Sequence, residues 1–205
     1  MSTISIQELD PKDCNKAISF AISGMHFDQY IKNPLLLRLY GRYFWYLENS
    51  RATHLKAAYQ GDELLGVILA EVKGHPPLRQ CWYEKAYSKT VDWLQKIFFK
   101  SSAGTYDTVN KDMLDVYKEH YQPDGEIIFL AANPTLKVKG VGTALLDSLE
   151  KDLSGKEIYL YTDSLCTYQF YEKRGFERYQ ERTIELTLNK KKVPLSCFLY
   201  RKKIV

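Results

Sequence analysis

The sequence predicts a single α/β domain over residues 1–205, and three features predict it. Segments of strand length alternate with helical stripes along the chain; an asparagine–proline pair marks a helix start; and the closing part runs strand, helix, strand, helix and then two strands. A chain of 205 residues that is 45% hydrophobic and 26% charged has the length and composition to bury one core.

The elements follow in order. Residues 3–9 alternate Ile4 and Ile6 with polar neighbours, which predicts a short strand. Pro11 opens a helical stretch to about residue 31 with Ile18, Ala21 and Ile22 on one side. Asn33 and Pro34 then start a helix over about 35–49, the asparagine side chain taking an orphan amide and the proline standing at the first helical position. Strands over 53–60 and 64–73 flank the turn Gly61-Asp62-Glu63, and Gly74-His75-Pro76-Pro77 ends the second. A helical insertion is expected at about 75–124. One of its stripes holds Trp82, Tyr83, Val91, Leu94, Ile97 and Phe98, a shorter one Met113, Leu114, Val116 and Tyr117, and the polar residues 100–111 between them read as a loop. The apolar run 126–132 predicts a central strand ended by Asn133-Pro134. A helix over 143–153 carries Leu145, Leu146 and Leu149; then come a strand at 158–161, a short helix at 167–174 capped by Gly175, and strands at about 177–188 and 193–200.

Composition narrows the function. No run approaches the ~20 apolar residues of a membrane helix, and the start shows no basic-then-apolar leader, so a cytoplasmic protein without a membrane partner is expected. Cys14, Cys81, Cys166 and Cys197 are far apart and pair with no histidine at zinc spacing, so no metal site is expected and the thiols read as small hydrophobes. A net charge of +4 is mild, and its clusters at 190–192 and 201–203 sit in a hairpin turn and near the C-terminus, as solvated ends rather than a nucleic-acid surface.

Two motifs carry chemistry. Lys137-Val138-Lys139-Gly140-Val141-Gly142-Thr143 sets a glycine pair between a strand end and a helix start, where unpaired amides and the positive helix end meet an anionic phosphate. Spacing excludes two relatives of this turn. A dinucleotide fingerprint needs a small residue where Leu145 stands, and a P-loop needs Gly-Lys-Ser/Thr where Gly142-Thr143-Ala144 stands. The second motif, Phe170-Tyr171-Glu172-Lys173-Arg174-Gly175-Phe176, follows the strand at 158–161; by itself it is also an ordinary short helix with a glycine cap.

In this order the two motifs resemble the GNAT superfamily of acetyltransferases. The first is similar to its Q/R-x-x-G-x-G/A acetyl-CoA loop after a strand ending in a Val-x-Pro-like step, here Ala132-Asn133-Pro134; the second is similar to its Phe-Tyr-Glu-Lys-x-Gly-Phe segment. The resemblance implies an acyl-CoA N-acyltransferase fold: a mixed, mostly antiparallel sheet splayed at two central parallel strands, with helices on both faces. It implies N-acetyl transfer from acetyl-CoA to a primary amine by direct attack in a ternary complex, without a metal. It also implies that backbone groups of Leu130, Ala131 and Ala132 line the pantetheine arm, and that amides of Val138, Lys139, Gly140, Val141, Gly142 and Thr143 hold the pyrophosphate. Ser164 stands where the family often has a cofactor-contacting asparagine, and Tyr171 where it has its general acid. Two departures are plain: Lys137 keeps the charge of Gln/Arg positions without a planar fork, and Ser164 is shorter than asparagine.

The chemistry asks for a base as well as an acid, because the attacking amine must lose a proton. Glu126 lies eleven residues before Lys137, the offset of the catalytic glutamate in the histone-acetylating branch of the superfamily that the sequence resembles, with Asp163 and Glu71 as further candidates. In the aromatic run Tyr40, Tyr43, Phe44, Trp45 and Tyr46 not all rings can face one core, and Tyr43 and Tyr46 are the expected contacts to substrate. The insertion reads either as a lid, which suits a small-molecule amine, or as a homodimer surface. Two other functions remain open at this point: a non-catalytic acyl-CoA sensor or scaffold of the same fold, and an RNA- or ribosome-associated binding protein.

Overall fold

The computed structural model describes residues 3–78, 84, 86–87, 104–136, 138–188 and 191–205. The first apolar stripe of the expected insertion, Cys81 and Lys137 lie outside them. The chain divides into two compact units, Met1–Val91 with Ile127–Ser154, and Asp92–Glu126 with Gly155–Val205. Among the described residues no helix is long and apolar enough to cross a membrane.

In the first unit, strands β1 (Ser5–Gln7), β2 (His54–Gln60), β3 (Glu63–Val72) and, from Ile127 on, β4 (Gly125–Ala132) lie in that order. β1 and β2 are antiparallel with Ile6 opposite Ala58, and β2 and β3 are antiparallel with Ala57 opposite Val67 around Gly61, whose φ of 60° suits glycine. The helical stretch expected from Pro11 to residue 31 is broken into a 3-10 turn (Pro11–Asp13), α1 (Cys14–Gly24) and α2 (Phe27–Tyr30). His26 causes the second break: it adopts a left-handed φ of 54°, which a continuing helix cannot contain. α3 (Pro34–Arg51) begins as its sequence predicts, with Asn33 Oδ1 accepting from the amides of Leu35 and Leu36 at 2.9 and 3.1 Å.

The core of this unit forms where α1 and α3 cover the sheet. Ala17 and Ala21 of α1, Trp45 of α3, Tyr59, Leu64, Val67 and Leu69 of the sheet, and Phe129 of β4 are all buried. Trp45 and Phe44 both meet Phe129 edge-on, with centroids 6.2 and 6.3 Å apart. α5 (Val141–Asp152) buries the expected stripe of Leu145, Leu146 and Leu149, and is tied to β2 by Lys56 Nζ, which donates to the Ser148 carbonyl at 2.8 Å.

Gly66 in β3 sets how closely these pieces approach. A Cβ added there would lie 2.7 Å from the Ala131 carbonyl oxygen, 3.0 Å from Val141 Cγ1 and 3.1 Å from Ala132 Cα. Two of those three neighbours are backbone atoms that cannot rotate away, so only glycine fits.

In the second unit, β5 (Glu157–Asp163), β7 (Lys191–Lys203) and β6 (Glu177–Leu188) are adjacent in that order and antiparallel, with Leu160 opposite Tyr200 and Ile184 opposite Leu195. α4 (Gly104–His120) begins well inside the segment that polarity marked as a loop. It is held by packing rather than by propensity: Met113 and Tyr117 are buried against Tyr159, Ile184, Leu195, Cys197 and Leu199, and Tyr106 and Val109 extend the same face by one turn and more. The short helix expected at 167–174 is α6 (Gln169–Lys173).

A buried ionic cluster ties α4 to this sheet. Glu157 Oε1 accepts from Tyr117 Oη and from Arg201 Nε, both at 2.7 Å, while the Arg201 guanidinium also reaches Glu177 at 2.8 Å and lies over the Tyr121 ring at 3.9 Å. Burial alone would raise the Glu157 carboxyl, but the bonds from Arg201 and Tyr117 outweigh it and hold the group below its ordinary value.

Gly66→Ala should lose about 1–3 kcal/mol, read from denaturant midpoints, because it overpacks against backbone; a parental midpoint would show that β3 and β4 separate freely. Glu157→Gln should cost on the order of 3 kcal/mol at neutral pH by leaving Arg201 short of its buried partner. Since the folded value is depressed, the stabilisation is present above the ordinary carboxyl range and is lost as pH falls through the lower folded value. The parent should therefore lose stability on acidification more steeply than the Gln variant, and parallel acid titrations of the two would count against the assignment.

Candidate functional site

The residues singled out by the sequence fall on two stretches, one in each unit. In the first, β4 carries Leu130, Ala131 and Ala132 at its C-terminal end. Its exit is pinned: the Asn133 N–H donates to the Leu65 carbonyl at 2.6 Å, and Asn133 Oδ1 accepts from the amide and hydroxyl of Thr135 at 3.0 and 2.7 Å. This is an Asx turn, and it explains the strand end that Asn133-Pro134 predicts.

Beyond half-buried Val138 and exposed Lys139, the chain turns at Gly140 with a left-handed φ of 85° and enters α5. Gly140 is the helix cap and has no side chain to fill it; the first intrahelical bond runs from the Ala144 N–H to the Gly140 carbonyl at 2.9 Å. The amides of Val141, Gly142 and Thr143 thus have no intrahelical acceptor and stand at the positive end of the helix. A Cβ at Gly140 would meet nothing within 4 Å. Val141, 4% exposed, anchors the helix start beneath it. This cradle of amides fits a pyrophosphate.

The second stretch begins where β5 ends. The Ser164 N–H donates to the Ser196 carbonyl at 2.9 Å, and Ser164 Oγ accepts from the Ser196 N–H at 3.2 Å, so this hydroxyl is already engaged with β7. Asp163 Oδ1 accepts from the Leu165 amide at 2.9 Å. Tyr171, in α6, stacks edge-on against Phe170 and Phe176 with centroids 5.3 and 5.7 Å away. Its hydroxyl has no hydrogen-bond partner among the described residues. Burial, with the nearby Cys166, pushes its phenol above the ordinary tyrosine value, so it keeps its proton throughout the neutral range.

The base candidates have different surroundings. Glu126, half-buried on β4, accepts from Tyr159 Oη at 3.2 Å. Glu71 is paired with Arg51 at 2.8 Å. The two expected acceptor contacts also separate: Tyr43 is 6% exposed and belongs to the core, whereas Tyr46 is half-buried and meets Tyr87 edge-on at 5.6 Å. Among the described residues no group of three or more His, Cys, Asp or Glu side chains is placed to hold a metal ion.

Sequence reasoning passed over two features. Gly66, which lets Ala131, Ala132 and Val141 close up, was signalled by a glycine inside an apolar strand. Arg178 and Tyr200, which hold Glu172 of α6, gave no local signal because they lie on other strands.

Residues 25–176 match the family described as Acetyltransferase (GNAT) family. No curated protein sequence matches the chain. Among solved structures, the histone acetyltransferase HPA2 and related acetyltransferase from Corynebacterium glutamicum is 17% identical, with a TM-score of 0.57 over 97% of this chain and 96% of that one. NAA60 from Arabidopsis thaliana, solved with a bisubstrate analogue, is 16% identical with a TM-score of 0.55 over 98% of both chains. The PaiA N-acetyltransferase from Thermoplasma acidophilum, solved with coenzyme A, is 16% identical with a TM-score of 0.51 over 98% and 99%. These likenesses show the α/β acyltransferase fold that the two motifs implied.

The cradle yields a prediction. Gly140→Asp puts a carboxylate in front of the amides and should weaken acetyl-CoA binding by at least about tenfold. Gly140→Ala carries the same backbone strain without the charge, so it should bind more tightly than the Asp variant when both are titrated calorimetrically. Equal affinities for the parent and Gly140→Asp would put the phosphate elsewhere.

Proposed function

The chain belongs to the GNAT acetyltransferase family, and on that premise we propose that it is an N-acetyltransferase moving an acetyl group from acetyl-CoA to a primary amine by direct attack in a ternary complex. Acyl transfer follows from the family; the amine acceptor and the roles below are our reading. The observation that carries it is the start of α5, where the cap Gly140 has no side chain and the three amides that follow lack helical acceptors.

Acetyl-CoA supplies an activated acyl thioester. The chain supplies anchoring, a proton acceptor and a proton donor. Amides of residues 138–143 hold the pyrophosphate, and backbone groups of Leu130, Ala131 and Ala132 run along the pantetheine arm. Glu126 takes the proton of the acceptor ammonium, directly or through water, its carboxylate oriented by the Tyr159 hydroxyl. Tyr171 delivers a proton to the departing thiolate. An uncommitted hydroxyl held above its ordinary pKa suits that role, since it arrives protonated and has no internal bond to break. Ser164 retains a hydroxyl proton to donate while its oxygen is bound to Ser196. The acceptor is a small-molecule amine bordered by Tyr46, and the protein works in the cytoplasm.

Tyr171→Phe keeps the ring packing and removes only the proton donor. It should lower kcat by roughly 10²–10⁴-fold while acetyl-CoA affinity and melting temperature stay near parental values. The readout is thiol release from acetyl-CoA across a panel of primary amines. Turnover by Tyr171→Phe at the parental rate would remove this residue from the chemistry, and coenzyme A binding without turnover on any amine would favour a sensor over an enzyme.

A further inference from the structure

We infer that Glu172, Arg178 and Tyr200 form a positioning device that sets the aim of the Tyr171 hydroxyl. This rests on the reading of Tyr171 as the proton donor. α6 has five residues and no side-chain cap at its start, too short to hold an orientation through its own hydrogen bonds. Its orientation is therefore imposed by other strands, and the contacts responsible converge on the residue next to Tyr171.

Glu172 Oε1 accepts from Tyr200 Oη at 2.7 Å and from the Arg178 guanidinium. Arg178 Nε donates in turn to Tyr200 Oη at 3.0 Å, which closes a triangle across α6, β6 and β7. Arg178 is itself fixed: its guanidinium lies 4.4 Å from the centre of the Phe198 ring and 5.2 Å from that of Tyr168, and bonds Glu181 at 3.0 Å. The Tyr200 ring stands 6.3 Å from the Tyr171 ring, so the strand that binds Glu172 also backs the donor. Just past the C-terminus of α6, Lys202 Nζ donates to the Arg174 carbonyl at 2.8 Å.

The two contacts do different work. Lys202 holds a backbone carbonyl and fixes where the helix ends. The Glu172 triangle holds a side chain one residue from Tyr171 and fixes the roll of the helix about its axis, which decides where the phenol points. A small rotation moves the hydroxyl without unfolding anything, and proton transfer is sensitive to shifts of that size. The Glu172 carboxyl is held below its ordinary value by its bonds to Tyr200 and Arg178, so the triangle stays charged at neutral pH.

The test is a double-mutant cycle between Glu172→Gln and Tyr171→Phe in the full chain, repeated with Arg178→Met. The probes are thiol release from acetyl-CoA with propylamine as acceptor, the same release with water alone, and calorimetric binding of acetyl-CoA. In the parental background Glu172→Gln and Arg178→Met should lower kcat about tenfold with acetyl-CoA affinity and the KM for acetyl-CoA unchanged. In the Tyr171→Phe background the same changes should have no further effect, because the group they aim is gone. Losses that add in the Phe background, or a parental kcat in both single variants, would overturn the positioning role. A parental rate for Tyr171→Phe itself would instead overturn the reading on which it rests, so the two failures are told apart.

Discussion

The absence of a side chain at Gly66 is the constraint on which the first unit depends. Three pieces from separate parts of the sequence meet there: the Ala131 carbonyl and Ala132 Cα at the end of β4, and the Val141 side chain at the start of α5. The Leu65 carbonyl next to it takes the Asn133 amide at 2.6 Å, so the chain leaves β4 along a fixed path. A methyl group at residue 66 would push against backbone, which can yield only by moving the strand or the helix. The start of α5, where the amides of Val141, Gly142 and Thr143 lack helical acceptors, is therefore placed by a contact outside its own turn. The proposed phosphate cradle gains from this support, because amides that must reorganise to meet a phosphate lose part of what the interaction contributes.

The second unit is organised by charge as well as by packing. Glu157 and Glu172 each accept from a tyrosine and an arginine, yet they serve different ends. Glu157 is buried beneath α4 and joins that helix to β7, so its bonds bear on stability. Glu172 is exposed, so its ion pair alone contributes little to stability. Its value lies in direction, because it restrains a helix too short to restrain itself. Tyr171 stands next to it with a hydroxyl that burial keeps protonated. A residue with an uncommitted polar group on a segment braced by several others is what a proton donor requires, and that brace is absent from the motif Phe-Tyr-Glu-Lys read as a string.

Local patterns were legible where the physics is local. The Asn33 cap, the leucine stripe of α5 and the strand run ending at Asn133 involve residues within a few positions of one another, and each stands where the sequence expects it. The same reading failed at residues 104–111, which are helical despite their polarity because Tyr106 and Val109 join a cluster built by β5, β6 and β7. It failed also at His26, whose left-handed backbone divides a stretch that looked continuous. In both places a distant partner outweighed the local preference.

By itself the sequence determined the class of the protein: a glycine pair between strand and helix, followed by Phe170-Tyr171-Glu172-Lys173, implies its family, and the family brings acyl transfer with it. Backbone requirements write themselves into sequence, since a left-handed turn such as Gly140 admits few residues besides glycine. The tertiary structure alone decided which side chains are available. Tyr43 and Tyr46 are indistinguishable as letters, yet one is buried in the core and the other stands half-buried beside Tyr87; Glu71 is bound to Arg51 and Glu126 to Tyr159. The reason is that burial and partnership depend on chain segments brought together by folding, and no local pattern records which segments those are.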